Sequence, residues 1–316
     1  MSPAPLPAVV ADDPLPELVL GMLRNRVDCL PWQAAVDGEA EHAVGLYVYG
    51  HPPVDGELLD RLPNLRVISN HGVGVDHIVL ADATARRLPV GNTPGVLDGA
   101  TADMGFALLL AAARKLIVGD HFARGPDFGS YDPGYLLGRE VHGQTIGIVG
   151  LGRIGLEVAR RAHGFNMSVL YHNRRPRTDL PESLQAEYVS LEQLLRRSDF
   201  VVLTVPLTAE TTRLIGRDQI ELMKPSAILV NIARGPVVDT DALTAALGRQ
   251  QIYAAALDVT DPEPLPRDHP LLSCENLVIA PHLGSATEQT RRAMAELSVE
   301  NLWLGLAGKP LRCQAN

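Results

Sequence analysis

Short apolar runs alternate along the chain with longer stretches of helix-like periodicity. The apolar runs are Ala8 to Ala11, Val44 to Tyr49, Val67 to Ser69, Thr145 to Val149, Ser168 to Tyr171, Phe200 to Val205, Ala227 to Asn231, Ala254 to Leu257 and Leu277 to Ala280. Strands separated by helices are typical of parallel sheets, because a parallel pair needs a crossover connection. The pattern therefore predicts an α/β fold.

Two stretches are predicted to form long helices, and a third segment is predicted to form neither helix nor strand. Asp98 to Lys115 is rich in Ala and Leu and free of Pro, which favours a mostly buried helix, and Thr287 to Leu306 forms a second helix after the last strand. Between Leu116 and Gln144 the chain is punctuated by Gly and Pro and has too little periodicity to form its own core, so we expect a loop or arm.

Composition narrows the class of protein. At 316 residues, with 46% hydrophobic side chains, the chain is long enough for two domains. The net charge of −9 argues against binding to nucleic acid or an anionic membrane and favours a small-molecule substrate. Three separated cysteines show no metal-ligand spacing, no targeting signal is evident, and no apolar run reaches the roughly 18 residues of a membrane span. We expect a cytoplasmic protein without a metal site.

A glycine-rich turn joins the buried strand Thr145 to Val149 to a helical stretch. Gly150 permits a tight turn, Gly152 lets the backbone approach a pyrophosphate, and Gly155 lets the helix pack on the strand. The start of the helix offers N–H groups and a positive dipole end to phosphates. This context predicts a dinucleotide site.

The end of the next strand bears on which dinucleotide is bound. NAD sites usually carry an acidic residue there for the ribose 2′-hydroxyl, whereas this chain has the neutral Asn173. Arg174 and Arg175 follow and could bind a 2′-phosphate, which predicts a preference for NADP(H) with NAD(H) possible. The alternative is a solvated arginine pair beside a turn.

Several segments together form a recognisable series. They are NHGVGVDHI (70–78), NTPGVLDGATADMGFALLLAAAR (92–114), GIVGLGRIG (147–155), VPLTAETT (205–212), LVNIARGPVVD (229–239), ALDVTDPEPLP (256–266) and PHLGSATEQT (281–290). Through them nearly the whole chain resembles the D-isomer-specific 2-hydroxyacid dehydrogenases, in particular the glyoxylate/hydroxypyruvate and hydroxyphenylpyruvate reductases. The resemblance implies two doubly wound parallel-sheet domains, with a Rossmann cofactor domain (98–285) inserted into a flavodoxin-like substrate domain (1–97 plus 286–316). It also implies a homodimer, because in this family the arm between Leu116 and Gln144 wraps a partner.

The resemblance also implies three catalytic residues. Reducing a 2-keto acid requires a cation for the carboxylate and carbonyl, an acid for the forming alkoxide, and a group that keeps this acid charged. Arg234 matches the substrate-binding arginine, His282 the general acid/base, and Glu263 the carboxylate that orients the histidine and favours its imidazolium form. Taken singly, these residues could be a surface ion-pair arginine, a structural histidine and a turn carboxylate.

Substrate and cofactor contacts follow from the same resemblance. The backbone of Val73 and Gly74 matches a loop whose N–H groups bind the substrate carboxylate, and Tyr49 and Gly50 either shape the substrate pocket or form only a surface turn. Asp258 matches the carboxylate that receives the nicotinamide amide, with a turn or capping role as the alternative. The implied cofactor contacts are Thr101, Gly150, Leu151, Gly152, Arg153, Ile154, Gly155, Asn173, Arg174, Arg175, Val205, Pro206, Thr211, Ile232, Ala233, Asp258, His282 and Gly284.

The sequence thus predicts an enzyme that reduces glyoxylate, hydroxypyruvate or a similar 2-keto acid to the D-2-hydroxy acid. A dinucleotide-sensing corepressor of the same fold is one alternative, although no long low-complexity tail is evident. Phosphoglycerate dehydrogenase is another, but no regulatory domain or added basic cluster is evident. A formate dehydrogenase is disfavoured, because this chain has Glu263 where that branch of the family has a glutamine.

Overall fold

The structure is a computed structural model that describes residues 5–12, 14–181 and 184–316. It divides into two compact units. One unit comprises the residues up to Leu97 together with Thr287–Asn316, and the other comprises Asp98–Ala286.

The first unit is built on a five-stranded parallel sheet with the strand order β2-β1-β3-β4-β5. Its strands are β1 (Ala8–Ala11), β2 (Asp28–Pro31), β3 (Gly45–Val48), β4 (Val67–Asn70) and β5 (Val90–Gly91). Its helices are α1 (Glu17–Leu23), α2 (Trp32–Val36), α3 (Gly56–Asp60), α4 (Leu80–Ala85) and α11 (Glu288–Leu306). Helix α11 begins after Thr287, whose side chain accepts a hydrogen bond from the N–H of Thr290, and it packs against β3 and β4.

The second unit is built on a seven-stranded parallel sheet with the order β12-β11-β10-β9-β6-β7-β8. Its strands are β6 (Thr145–Val149), β7 (Ser168–His172), β8 (Glu187–Tyr188), β9 (Phe200–Leu203), β10 (Ile228–Asn231), β11 (Ala254–Leu257) and β12 (Leu277–Ile279). Its helices are α5 (Asp98–Ala113), α6 (Leu116–Arg124), α7 (Arg153–Gly164), α8 (Leu191–Arg197), α9 (Arg217–Leu222) and α10 (Thr240–Gly248).

The central strands explain why the sequence pattern is readable. Every residue of β1, β3 and β4 in the first sheet, and of β9, β10 and β11 in the second, is buried. A parallel strand covered on both faces needs apolar side chains on both faces, so it reads as a continuous apolar run. The two parallel sheets with their connecting helices confirm the predicted α/β fold class.

The strands that the sequence analysis did not identify lie away from these buried centres. Strands β2 and β8 are edge strands with mostly exposed residues, and β5 at the other edge of the first sheet has only two residues. An edge strand has one unpaired side and is often short and polar, which removes the apolar run on which prediction depends.

The predicted long helix is present but ends two residues early, and the predicted arm begins with a helix. Helix α5 ends at Ala113, Lys115 adopts a left-handed conformation with φ of 51°, and α6 then runs from Leu116 to Arg124. The expectation of an arm without regular structure from Leu116 was therefore wrong for its first part. No residue of α6 is buried in this unit.

Candidate active site

The predicted functional residues of the second unit follow the ends of successive strands of its sheet. Because these strands are parallel, their carboxyl ends share one edge, which is where ligands bind in doubly wound sheets. The residues concerned are Gly150 after β6, Asn173 after β7, Val205 after β9, Arg234 after β10, Asp258 after β11 and His282 after β12.

The glycine-rich turn has the geometry that a dinucleotide requires. Gly150 has a φ of 101°, and a Cβ added there would lie 2.9 Å from the backbone nitrogen of Val205. A Cβ at Gly155 would lie 2.4 Å from the carbonyl oxygen of Gly150, so helix α7 can approach the turn only with glycine there. At Gly152 an added Cβ would meet no atom within 4 Å, which leaves open space beside the first N–H groups of α7. These residues fit a bound pyrophosphate.

Two side chains hold the peptide groups of Leu151, in the middle of this turn. The Asn173 Oδ1 accepts a hydrogen bond of 2.6 Å from the Leu151 N–H, and Arg177 donates from Nη1 to the Leu151 carbonyl at 3.2 Å. The Arg177 guanidinium also pairs with Asp179 at 2.5 Å, which lowers the pKa of that carboxyl. The side-chain amide of Asn173 therefore positions the turn, a role that the sequence analysis did not identify.

Arg174 and Arg175 are both exposed beside this anchored segment. The pKa of the nearby Glu210 carboxyl is lowered by a hydrogen bond from Thr208 and, to a smaller extent, by the charge of Arg174. Arg174 therefore lies near the segment after β9. In that segment the Thr211 hydroxyl donates to the Pro206 carbonyl at 2.7 Å and accepts from the Thr208 N–H at 2.8 Å, which fixes a compact turn.

His282 and Glu263 form a direct hydrogen-bonded pair. The His282 Nδ1 lies 2.7 Å from the Glu263 Oε1, and the two side chains are 30% and 40% exposed. A carboxylate can only accept here, so Nδ1 carries the proton and the second ring nitrogen, Nε2, is directed away from Glu263. This arrangement orients an imidazole for proton transfer while leaving it accessible to a small molecule.

The backbone at His282 is strained and is held by Asp258. His282 has a φ of 57°, which is uncommon for a residue with a side chain and costs on the order of 1–3 kcal/mol. Its N–H donates to the Asp258 carbonyl at 2.8 Å, while the two Asp258 carboxylate oxygens accept from the N–H groups of Leu283 and Gly284 at 2.7 Å each. Burial raises the pKa of the Asp258 carboxyl, and these backbone hydrogen bonds oppose that rise.

Thr101 and Gly284 belong to the same surroundings as Asp258. A Cβ added at Gly284 would lie 2.9 Å from the Asp258 Oδ2 and 3.3 Å from the Thr101 Cγ2. Glycine is therefore required where this loop passes helix α5. The structure thus brings together three residues that the sequence assigned separately to cofactor binding.

Arg234 lies half-buried in a tight connection after β10. The Asn231 side chain accepts from the Ala233 N–H at 3.0 Å and donates to the Arg234 carbonyl at 2.9 Å, while the Arg234 Nη1 donates to the Ala233 carbonyl at 2.9 Å. A Cβ at Gly235 would lie 1.9 Å from the Thr260 carbonyl oxygen. This close approach brings the Arg234 connection against the segment that carries Glu263. The preceding Ile232 and Ala233 are buried.

In the first unit, the predicted substrate residues follow β3 and β4. The N–H groups of Tyr49 and Gly50 donate to the two carboxylate oxygens of Asp12 at 2.5 Å each, and the Tyr49 ring lies 4.7 Å from that of His71. These two N–H groups are therefore engaged within the protein, and Tyr49 is left with its side chain for contact with a ligand. Val73 and Gly74 lie in the loop after β4.

Sequence reasoning missed the residues that hold these loops in place. Asp12, Asn70, Asn92 and Arg177 each bind backbone atoms of a loop that was predicted to contact substrate or cofactor. A usable signal existed for Asp12 and Asn70, since each is a polar residue at the end of an apolar strand.

Among the described residues no group of His, Cys, Asp and Glu side chains could hold a metal ion. In the same part of the chain no helix has the length and apolar character to cross a membrane.

Comparison with known proteins decides the family. The family described as D-isomer specific 2-hydroxyacid dehydrogenase, NAD binding domain, matches residues 106–284. The chain belongs to this family. As a D-2-hydroxyacid dehydrogenase it is an oxidoreductase with an NAD-binding domain, and the family predicted from the sequence motifs is confirmed.

Relatives of this dehydrogenase include proteins named as reductases. A glyoxylate reductase from Thermococcus gammatolerans is 50% identical over 253 residues, which cover 79% of this chain and 75% of the relative. A crystal structure of a protein from Thermus thermophilus has 45% identity and a TM-score of 0.89, and the match covers 98% of this chain and all of that one. An NADPH-dependent glyoxylate/hydroxypyruvate reductase from Sinorhizobium meliloti, in complex with NADP and malonate, has 31% identity and a TM-score of 0.89 over 98% of this chain and 96% of that one. The hydroxyphenylpyruvate reductase branch stays a prediction.

Proposed function

We propose that this dehydrogenase reduces a small 2-keto acid, glyoxylate, hydroxypyruvate or a close analogue, to the D-2-hydroxy acid. The observation that carries the proposal is the 2.7 Å pair of His282 and Glu263 after the end of the sheet, beside the connection that holds Arg234. An acid, its orienting carboxylate and a cation are the groups that reduction of a keto carboxylate requires. The glyoxylate reductases among its relatives support the same substrate class.

Each of the three residues has a distinct task in this proposal. The Arg234 guanidinium binds the substrate carboxylate and polarises the carbonyl, because its planar fork can donate to both groups. His282 gives the proton to the carbonyl oxygen as the alkoxide forms and takes it back in the reverse direction. Glu263 holds the ring through Nδ1 and stabilises its charged form. Val73 and Gly74 bind the substrate carboxylate through their N–H groups, and Tyr49 and Gly50 border the substrate side chain.

A nicotinamide dinucleotide supplies the hydride when it is bound. We propose that its pyrophosphate is held by the turn from Gly150 to Gly155 and the start of α7, and that the Asp258 region holds its nicotinamide amide. The remaining contacts proposed from the sequence are Thr101, Asn173, Arg174, Arg175, Val205, Pro206, Thr211, Ile232, Ala233, His282 and Gly284.

A preference for NADPH over NADH follows from the end of β7. Asn173 offers no carboxylate to a ribose hydroxyl, and its amide is bound to Leu151, while Arg174 and Arg175 are exposed next to it. Two guanidinium groups without a neighbouring acidic residue at position 173 favour a 2′-phosphate. The Sinorhizobium meliloti reductase is described as NADPH-dependent, which supports this proposal.

The proposed reaction can be tested with a panel of 2-keto acids and both reduced cofactors. We expect glyoxylate or hydroxypyruvate to oxidise NADPH with a kcat of about 1–10³ s⁻¹, the usual range for enzymes. Acetoacetate, whose keto group is one carbon further from the carboxylate, is the matched control and should be a poor substrate. Absence of turnover with every 2-keto acid and both cofactors would contradict the proposed function.

We also propose that the enzyme is a homodimer formed through α6 and the segment that follows it. Leu116, Ile117 and Val118 are 60%, 49% and 45% exposed, and Leu137 and Tyr131 are 70% and 82% exposed. Exposed large apolar side chains concentrated in one segment of the chain are typical of an interface. Sedimentation velocity at micromolar concentration should give about twice the chain mass of 34.0 kDa. A single species at the mass of one chain would refute the dimer.

A further inference from the structure

The side-chain amide of Asn70 binds the backbone of the loop from Gly72 to Gly74. Its Nδ2 donates to the carbonyl oxygens of Gly72 at 2.9 Å and Gly74 at 2.8 Å, while its Oδ1 accepts from the His77 Nε2 at 3.1 Å. The opposite orientation of the amide would place Oδ1 against two carbonyl oxygens, so the network fixes which atom faces the loop. Asn70 is 1% exposed, which makes an unmatched polar atom there costly.

Two residues after β5 hold the remaining carbonyl groups. The Asn92 Nδ2 donates to the Val73 carbonyl at 2.9 Å, and the buried Thr93 hydroxyl donates to the His71 carbonyl at 2.8 Å. Four successive carbonyl groups, those of residues 71–74, therefore accept hydrogen bonds from side chains of the same unit. Every carbonyl group from residue 71 to residue 74 is thus hydrogen-bonded within the protein.

The held carbonyl groups also determine where the N–H groups of the loop point, because the two are joined in planar peptide bonds. In a trans peptide the N–H points opposite to the C=O of the preceding residue. Holding the carbonyls of residues 71–74 therefore also fixes the directions of the N–H groups of residues 72–75. Within the described residues none of these four N–H groups has a hydrogen-bond acceptor. Backbone N–H groups that have no acceptor within the protein can bind an anion such as a carboxylate.

We propose that Asn70 and Asn92 are positioning residues for the substrate carboxylate. They bind carbonyl groups of the loop and so hold its N–H groups in place for a carboxylate, without touching the substrate themselves. This inference rests on the proposed reduction of 2-keto acids. The loop is already ordered by folding, so substrate binding does not have to reorient it and loses less conformational entropy.

The test compares Asn70→Leu and Asn92→Leu with the wild-type enzyme and with Asn64→Leu. Leucine has nearly the shape of asparagine but no hydrogen-bond donor and no charge. Asn64 lies in the same unit, and its Nδ2 donates to the Glu41 carbonyl at 2.8 Å, so it is a matched control remote from the loop. With saturating NADPH, KM for glyoxylate should rise about tenfold to a hundredfold in both test variants. Because the effect is on binding, kcat should change much less, and Asn64→Leu should leave both constants unchanged.

A second measurement needs no substitution in the loop. In the wild-type enzyme with NADPH, the carboxylate analogue oxamate should slow hydrogen–deuterium exchange in the peptide that covers residues 71–76. Unchanged KM in a folded Asn70→Leu or Asn92→Leu variant, or unchanged exchange in that peptide when oxamate inhibits, would overturn the inference. If the wild-type enzyme reduces no 2-keto acid, the proposed function fails instead, and exchange with oxamate still reports whether the loop binds a carboxylate.

Discussion

Replacing His282 with alanine is expected to lower kcat for 2-keto acid reduction by about 10²–10⁴ while NADPH binding stays nearly intact. The side chain removed is the proton donor of the proposed reaction, and alanine has no group that can give a proton. The Asp258 carboxylate continues to bind the N–H groups of Leu283 and Gly284, so the loop around position 282 should persist. Steady-state kinetics and a fluorescence titration with NADPH separate the two effects.

Two further variants make the His282 experiment specific. His163 lies in the same unit and its ring binds the Leu184 carbonyl, so His163→Ala removes a hydrogen-bonded histidine that has no part in the proposed chemistry and should keep its kcat. Glu263→Gln keeps a side chain of the same shape beside the ring but removes its charge, so kcat should fall by less than in His282→Ala. An unchanged kcat in His282→Ala would rule out its assignment as the acid.

The contrast between strands and loops shows what the sequence can predict in this protein. The central strands are recognisable because both faces of a parallel strand must be apolar, and the glycine turn is recognisable because Gly150 and Gly155 meet backbone atoms that exclude any side chain. The apolar run, the positive φ of Gly150 and the contact of Gly155 with Gly150 each lie within a short stretch of sequence. The residues that hold loops act across the fold instead: Asn92 binds Val73, and Arg177 binds Leu151. Nothing local in the sequence marks those pairs.

Asp258 illustrates how a correctly located residue can have contacts that the sequence does not reveal. Its position after β11 was predicted from the motif, with the nicotinamide amide as its partner. In the structure its two carboxylate oxygens accept the N–H groups of Leu283 and Gly284, and its carbonyl accepts that of His282. It therefore shapes the strained segment that presents the proposed acid. Each carboxylate oxygen can accept more than one hydrogen bond. The proposed contact with a nicotinamide amide is therefore compatible with the bonds to Leu283 and Gly284.

Asn173 shows a similar difference with a consequence for cofactor choice. The sequence identified it by what it lacks, a carboxylate for the ribose hydroxyl. The structure adds that its amide oxygen accepts from the Leu151 N–H at 2.6 Å. Asn173→Asp keeps an acceptor for that N–H, loses the 3.4 Å bond from the amide nitrogen to the Leu151 carbonyl, and adds a negative charge. It should move the preference toward NADH, measured as the ratio of kcat/KM for NADPH to that for NADH.

Replacing both Arg174 and Arg175 with alanine is expected to weaken NADPH selectively. Each charge-assisted contact with a 2′-phosphate is worth about 1.5–3 kcal/mol, or roughly tenfold to a hundredfold in affinity, and losing both should cost more than losing one. NADH has no 2′-phosphate, so its kcat/KM should be nearly unaffected. The quantity to measure is the ratio of kcat/KM for NADPH to that for NADH, in the wild-type enzyme and in the double variant.

Arg196 and Arg197 provide the control for this experiment, because they are also adjacent, exposed arginines in the same unit. They pair with Glu192 and Glu187 on the surface, and Arg196→Ala/Arg197→Ala changes the net charge by the same amount as the test variant. A general effect of charge on cofactor attraction would lower the ratio in both double variants, whereas a 2′-phosphate contact lowers it only in Arg174→Ala/Arg175→Ala. If the wild-type enzyme prefers NADH, or if the test variant keeps the wild-type ratio, the two arginines are a solvated surface pair and the proposed NADPH preference is wrong.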